Sequence, residues 1–252
     1  MKRYIKGLYM SLGMFSALPL PWRSWDDKCA DLALPCLPLV GLLIGGLWWG
    51  AAALLSAGAL HIMAATAILM LIPFIASGFL HLDGYLDTCD AVLSRRPLAD
   101  KLRILKDPHI GAFAAIMLAV LFVMQFALLY AVIDGNKCLA ALFFIPVISR
   151  CCVSLPLLCL KAMPQSAYAN MFKENTTVCH KIFVIFITVA AFAAAFLLAG
   201  RPGLAAAAAT AGGSLAVMAY LYKEFKGVSG DLAGCALVSG ELIGLCGLLA
   251  VS

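Results

Sequence analysis

Seven long apolar runs set the limits on this chain: roughly Leu32–Leu55, Ile62–Leu80, Ile110–Ile133, Leu139–Leu160, Ile182–Gly200, Gly203–Tyr222 and Leu232–Val251. A helix crosses the hydrocarbon core of a bilayer with about 20 mostly apolar residues. Within that core the backbone must satisfy its own polar groups, so the choice lies between helices and a closed barrel. A barrel shows short segments of alternating polarity, and these runs are unbroken. Composition closes the other routes. The chain is 64% hydrophobic and 12% charged over 252 residues, against roughly 45–50% and about 25% in soluble domains. A soluble fold of this size has too little interior for that much apolar surface, and a disordered chain has the opposite composition. The expected fold is all-α: a polytopic integral membrane protein, a single domain over residues 1–252, with about seven transmembrane helices plus an N-terminal interfacial helix.

The N-terminal helix needs separate argument. Lys2, Arg3 and Lys6 precede an apolar stretch, Leu8–Leu20, in the order of a signal peptide. No small-x-small cleavage site follows, and the stretch runs into Pro19-Leu20-Pro21-Trp22. The reading is an uncleaved helix in the interface, with Trp22 and Trp25 at headgroup level. The ten cysteines form no CxxC pair and no cluster with zinc spacing. Cys151, Cys152, Cys159, Cys235 and Cys246 lie in apolar runs and act there as small hydrophobes. Gly41-x-x-x-Gly45, Gly46-x-x-x-Gly50 and Gly240-x-x-x-Gly244 offer small faces for close helix packing. Self-association as a homo-oligomer is left open.

Lysine and arginine are unevenly placed. Lys2, Arg3, Lys6, Arg23 and Lys28 precede the first span, and Arg95, Arg96, Lys101, Arg103 and Lys106 fill the second connection. Lys161, Lys173 and Lys181 fall in the fourth, and Lys223 and Lys226 in the sixth. The odd connections hold only Lys137 and Arg201. The positive-inside rule then places the N-terminus and the even connections in the cytoplasm of a protein of the cell inner membrane. The net charge of +5 belongs to this topology. The lipid bilayer is an expected partner and nucleic acid is not.

The chemistry gathers in the second connection, Gly78-Phe-Leu-His81-Leu-Asp83-Gly84-Tyr-Leu-Asp87-Thr88-Cys-Asp90. Asp83, Asp87 and Asp90 stand at i, i+4 and i+7, which places them on one face of a helix. Like charges at that spacing repel, and a membrane surface solvates them poorly. A divalent cation offsets both effects. Carboxylates without His or Cys ligands suit a hard ion, Mg²⁺ first and Mn²⁺ or Ca²⁺ next. Mg²⁺ commonly bridges to substrate phosphates, which points to phosphoryl or phosphodiester chemistry. Gly84 would let a phosphate approach the backbone. The plain alternative is an acidic helix end neutralised by Arg95, Arg96, Lys101 and Arg103.

Downstream, Lys101, Arg103 and Lys106 with Asp107 and His109 are candidates to hold phosphates or a pyrophosphate, although Asp107 also suits a helix cap. Asp231, after Ser229-Gly230, either reaches a cytoplasmic-side site or caps its helix. Arg150 and Glu241 are the two charges inside spans. Charges there usually face a partner, so they are expected to pair. His81 lies off the register of the acidic face and reads as a satisfied helix-end histidine.

These motifs resemble one family, the adenosylcobinamide-GDP ribazoletransferases, also called cobalamin-5′-phosphate synthases. The core of the resemblance is Gly78 through Asp90, followed by Lys106-Asp107 and Ile110-Gly111-Ala112-Phe113. Phe15-Ser-Ala-Leu-Pro19-Leu-Pro21, Pro38-Leu-Val-Gly41-Leu-Leu-Ile-Gly45, Ser149-Arg150, Gly230-Asp231-x-x-Gly234 and Glu241 are similar too. The chain departs from the family with Ala91 after the third aspartate, Pro108-His109 in place of Ser-Arg, and Val238 one turn before Glu241. Lys106 or His109 is then the substitute for a phosphate-binding arginine. The resemblance implies a Mg²⁺-dependent integral membrane enzyme that joins adenosylcobinamide-GDP to α-ribazole, or to its 5′-phosphate. GMP leaves, and adenosylcobalamin or its 5′-phosphate forms. Asp83, Asp87 and Asp90 would hold the metal, and either Asp90 or Asp231 would take the proton of the ribazole hydroxyl.

Two other readings compete with this one. A CDP-alcohol phosphotransferase also uses membrane-embedded acidic motifs, but Asp87-Thr88 stands where its Ala-Arg belongs. A cation-coupled transporter would place polar groups near the midplane, and here they cluster at one surface.

Overall fold

The computed structural model describes residues 2–20, 25–58, 60–135, 137–164, 166, 172 and 176–251. Trp22 and Arg23, and Lys173 with its neighbours in the fourth connection, lie outside the described residues. Helices make up nearly all of the rest. They are α1 (Lys2–Phe15), α2 (Leu37–Ser56), α3 (Ile62–Ala76), α4 (Leu80–Leu93), α5 (Leu98–Ile104), α6 (Ala112–Asp134), α7 (Ala141–Cys159), α8 (Val178–Phe225) and α9 (Gly230–Val251), with a 3₁₀ turn at Asp27–Leu32. The one pairing of extended backbone among the described residues is a bridge between Ala162 and Val228, which ties the end of α7 to the loop before α9.

Five helices are long and apolar enough to cross a bilayer, and six if α3 and α4, which meet at 91°, count as one broken span. The longest, α8, covers two of the expected runs. It breaks at Gly200, whose φ of 61° and ψ of −151° are open to glycine. Gly203 then packs against the Ala195 carbonyl. A straight helix would hold those two residues about 12 Å apart, so α8 folds back into two limbs.

The α3–α4 break is a helix end and a restart. The Phe79 N–H reaches back to the Phe74 carbonyl at 2.8 Å, and Gly78 takes a φ of 63°. This is the glycine-terminated helix end that redirects a chain. The helix α4 does not continue the span. It lies across the starts of α6 and α9, which puts its 14 residues outside the membrane-spanning segments.

At the centre stands α7, buried over nearly its whole length and packed on α8 and α2. Apolar side chains of α6 and α8, such as Val123, Phe186, Leu197 and Leu198, face outward as a lipid-facing surface requires. Two of the three small faces read from the sequence serve this packing, while Gly50 of the Gly46–Gly50 face meets nothing within 4 Å. Gly41 would carry a Cβ 2.6 Å from the Pro146 carbonyl of α7, Gly45 meets Phe143, and Gly240 and Gly244 meet Ser214 and Thr210 of α8. Those glycines are therefore taken up within the chain. The α1 cations anchor that helix to the 3₁₀ turn. Arg3 binds Asp31 at 2.6 and 2.8 Å, and Lys6 binds Asp26 at 2.6 Å. All ten cysteines are free.

Candidate active site

On one face of the bundle α4 meets the starts of α6 and α9, and α5 touches the end of α8. Gly84 and Gly234 bring α4 onto α9. A Cβ at Gly84 would lie 2.8 Å from the Asp231 Cα, and one at Gly234 would lie 2.9 Å from the His81 carbonyl. Gly84 therefore serves helix contact, and the expected approach of a phosphate to its backbone is blocked by Asp231. That contact carries Asp231 to the acidic face of α4. Asp231 does not cap α9: Ser229 Oγ accepts from the Leu232 N–H at 3.3 Å, leaving Asp231 half-buried in the first turn.

Asp83, Asp87 and Asp90 share one face, and among the described residues no salt bridge reaches them or Asp231. Burial, then the charges of Asp83, Asp231 and Asp90, raise the Asp87 carboxyl to about 6. Opposite them, across a cavity of about 360 Å³, stand Lys106, Asp107 and His109. Asp107 orients His109, accepting from its backbone N–H at 3.0 Å and meeting its ring Nδ1 at 2.7 Å. The same contacts hold the Asp107 carboxyl below its ordinary range.

Asp90 has a second engagement. It lies against Gly111 and accepts from the Ala114 N–H at 3.4 Å. Gly111 heads α6 without a side-chain cap of its own, so Asp90 supplies the carboxylate that a helix start favours.

Two expected phosphate ligands stand apart. Lys101 is buried, and its ammonium pairs with Glu224 of α8. Arg103 points to solvent beside Asp100 at 3.6 Å. Neither lines the cavity. In the membrane interior Arg150 Nη1 donates to Glu241 Oε1 at 2.8 Å, and the Ser149 hydroxyl donates to the same oxygen at 2.8 Å. His81 is buried against Phe15, ring centroids 6.3 Å apart, yet its Nε2 has no partner. The sequence reading of a satisfied histidine is thus not met at Nε2. Burial, then Arg150, push its pKa down to about 3, which keeps the ring neutral.

The donor set suits a hard ion, since every acid on the α4 face offers oxygen. Among the described residues no three His, Cys, Asp or Glu side chains converge as a ready-made cage.

The family model described as cobalamin-5-phosphate synthase matches residues 7–249. The chain belongs to that family. Its relatives include proteins named adenosylcobinamide-GDP ribazoletransferase from Clostridium botulinum, 37% identical over 97% of both chains, and from Clostridium perfringens, 37% identical over 97% of this chain and 98% of that one. One so named from Geobacillus kaustophilus is 27% identical over 96% of this chain and 95% of its own length. No solved structure gives a significant match. Membership in the family makes the carboxylate face of α4 the candidate centre of a transferase of cobalamin synthesis.

Proposed function

We propose that this chain joins adenosylcobinamide-GDP to α-ribazole, or to its 5′-phosphate, at the cytoplasmic face of the cell inner membrane. GMP is released, and adenosylcobalamin or its 5′-phosphate forms. The observation that carries the reading is the facing of Asp83 and Asp87 toward Lys106 and His109 across one cavity, with Asp231 lining the adjoining one, in a chain of this family. A pyrophosphate needs cations on one side, and a hydroxyl nucleophile needs a base on the other.

Lys106 and His109 hold the pyrophosphate oxygens, with Asp107 fixing the imidazole. The ribazole hydroxyl oxygen attacks the phosphorus on the corrinoid side. The bond from that phosphorus to the bridging oxygen breaks, and GMP leaves with the bridging oxygen. Asp231 takes the hydroxyl proton. It is favoured over Asp90 because the Asp90 carboxylate is held at the start of α6. Asp83 and Asp87 would hold Mg²⁺, which when bound would neutralise pyrophosphate charge and ease the departure of GMP.

Purified protein in lipid, given adenosylcobinamide-GDP, α-ribazole and Mg²⁺, is expected to release GMP and form the cobalamin product. Asp87→Ala is expected to lose about 100-fold or more in turnover. No product from the wild type, or unchanged turnover in Asp87→Ala, overturns the reading. The transporter alternative draws no support from the interior, where Arg150 and Glu241 bind each other.

A further inference from the structure

Asp231 lines a cavity of about 520 Å³ that adjoins the acidic one and shares Asp83 and Lys106 with it. A carboxylate that takes a proton there must keep one oxygen turned to the donor. No cation holds it in that pose: among the described residues no salt bridge reaches Asp231. Its main chain is fixed by α4, since a Cβ at Gly84 would lie 2.8 Å from the Asp231 Cα and 2.9 Å from its carbonyl oxygen. The residues before it are clamped as well. The Val228 N–H donates to the Lys161 carbonyl, and the Val228 carbonyl accepts from the Met163 N–H, both at 2.9 Å. Val228 is fully buried, and a Cβ at Gly227 would lie 2.8 Å from the Met163 Cγ. What remains to be held is the Asp231 side chain. Between the clamp and Asp231 stands Ser229, itself buried.

We infer that Ser229 is the positioning residue of Asp231: its hydroxyl holds Oδ2 of the carboxylate and leaves Oδ1 to the hydroxyl of the acceptor substrate. The inference rests on the function proposed above, in which Asp231 takes that proton, and adds the group that aims it. Ser229 Oγ accepts from the Leu232 N–H at 3.3 Å and lies 3.4 Å from Asp231 Oδ2. A serine hydroxyl has one proton to give, a backbone N–H can only donate, and an ionised carboxylate can only accept. The two contacts therefore fix the direction of the second one: the hydroxyl donates to Oδ2. A hydrogen bond to a charged acceptor is stronger than one between neutral groups. Through Val228 the hydroxyl is tied to the segment that follows α7, while the Asp231 main chain rests on α4. The carboxylate is thus set relative to both helices, which line the cavity with Val153 and Leu157 on one and Asp83 on the other. Ser229 acts through Asp231 and not on the substrate. A base held in one rotamer needs no reorientation once the substrate is bound, so the gain falls on turnover and not on affinity.

The test is steady-state kinetics of the purified protein in lipid, with adenosylcobinamide-GDP, α-ribazole and Mg²⁺, read beside thermal melts. Ser229→Ala should lower kcat about tenfold, the loss of one charge-assisted hydrogen bond, and leave both KM values within about twofold. Ser229→Thr keeps the hydroxyl and should return kcat to within about threefold of the wild type. Ser229→Gly separates the cap from the aim, because glycine serves nearly as well at a helix cap and has no hydroxyl. It should melt close to the wild type and still turn over about tenfold more slowly. If Ser229→Ala fails to fold, Ser229→Gly is read in its place. An unchanged kcat in a folded variant without the hydroxyl overturns the inference. So does a threonine variant as slow as the variants without the hydroxyl, and so does a loss that falls on KM with kcat intact. A wild type that makes product while its variants give one of these results loses only this inference. A wild type that makes none loses the proposed function as well.

Discussion

The Asp90 carboxylate rests on the backbone of Gly111, close enough that a Cβ at that position would collide with it. The contact ties α4 to the start of α6 and gives an uncapped helix its acceptor. It also gives a physical reason for glycine in the Ile110-Gly111-Ala112-Phe113 motif. Gly111→Ala should displace the carboxylate, lose a cap worth about 1–2 kcal/mol, and move Asp87 and Asp83 with α4. The expected outcome is a lower melting temperature in detergent and about tenfold lower turnover. A variant as stable and active as the wild type would show that the contact is incidental.

Two lysines of one basic loop have different work. Lys101 is buried against Glu224, whereas Lys106 is exposed and lines both cavities. Lys101→Met should destabilise by about 1–2 kcal/mol, because a partly buried carboxylate loses its partner. Its KM for adenosylcobinamide-GDP should change by less than about twofold. Lys106→Met should raise that KM about tenfold with stability unchanged, having removed a charge-assisted contact. Thermal melts and steady-state kinetics on the two variants separate the roles, and the reverse pattern would refute this division.

Arg150 and Glu241 form a pair that neither member can leave singly. Both are buried, and Glu241 also accepts from Ser149. Removing one partner strands the other in an apolar interior, at about 3–5 kcal/mol. Replacing both by apolar residues of similar volume is far milder. Arg150→Met and Glu241→Leu should each abolish folded yield, and the double variant should recover much of it. Size-exclusion profiles of the three proteins check this. Losses that simply add would mean that the two charges act independently.

The helical, membrane-spanning character was legible because hydrophobic runs of span length have one common solution in lipid. The acidic face was legible because helix periodicity converts i, i+4 and i+7 into a surface. What the local pattern could not carry was pairing across the chain. Nothing near Lys101 announces Glu224, 123 residues away. Gly84 looks like a phosphate-loop residue by type, and only the packing of α4 on α9 and α6 shows what Gly84 and Gly111 admit. The Gly200 reversal bends α8 back on itself and so preserves the two limbs read from the sequence. His81 was misjudged for a related reason: whether a buried nitrogen has a partner depends on helices distant in sequence.

The Asp87 carboxyl gives stability a definite pH dependence without metal. Asp87 has a folded pKa raised to about 6 from 3.8, by burial and by Asp83, Asp231 and Asp90. Folding therefore favours its protonated form. The contribution is fully present below about pH 4 and is lost as pH rises through about 6. In chelator, the melting temperature should fall from pH 5 to pH 7, and Asp87→Asn should flatten that slope. Mg²⁺ added at pH 7 should restore the wild type and leave Asp87→Asn unmoved, since binding to the folded state alone raises stability by mass action. A melting temperature that rises over this range in chelator, or an equal Mg²⁺ response in both proteins, would remove Asp87 from the metal site and leave its raised pKa without a functional role.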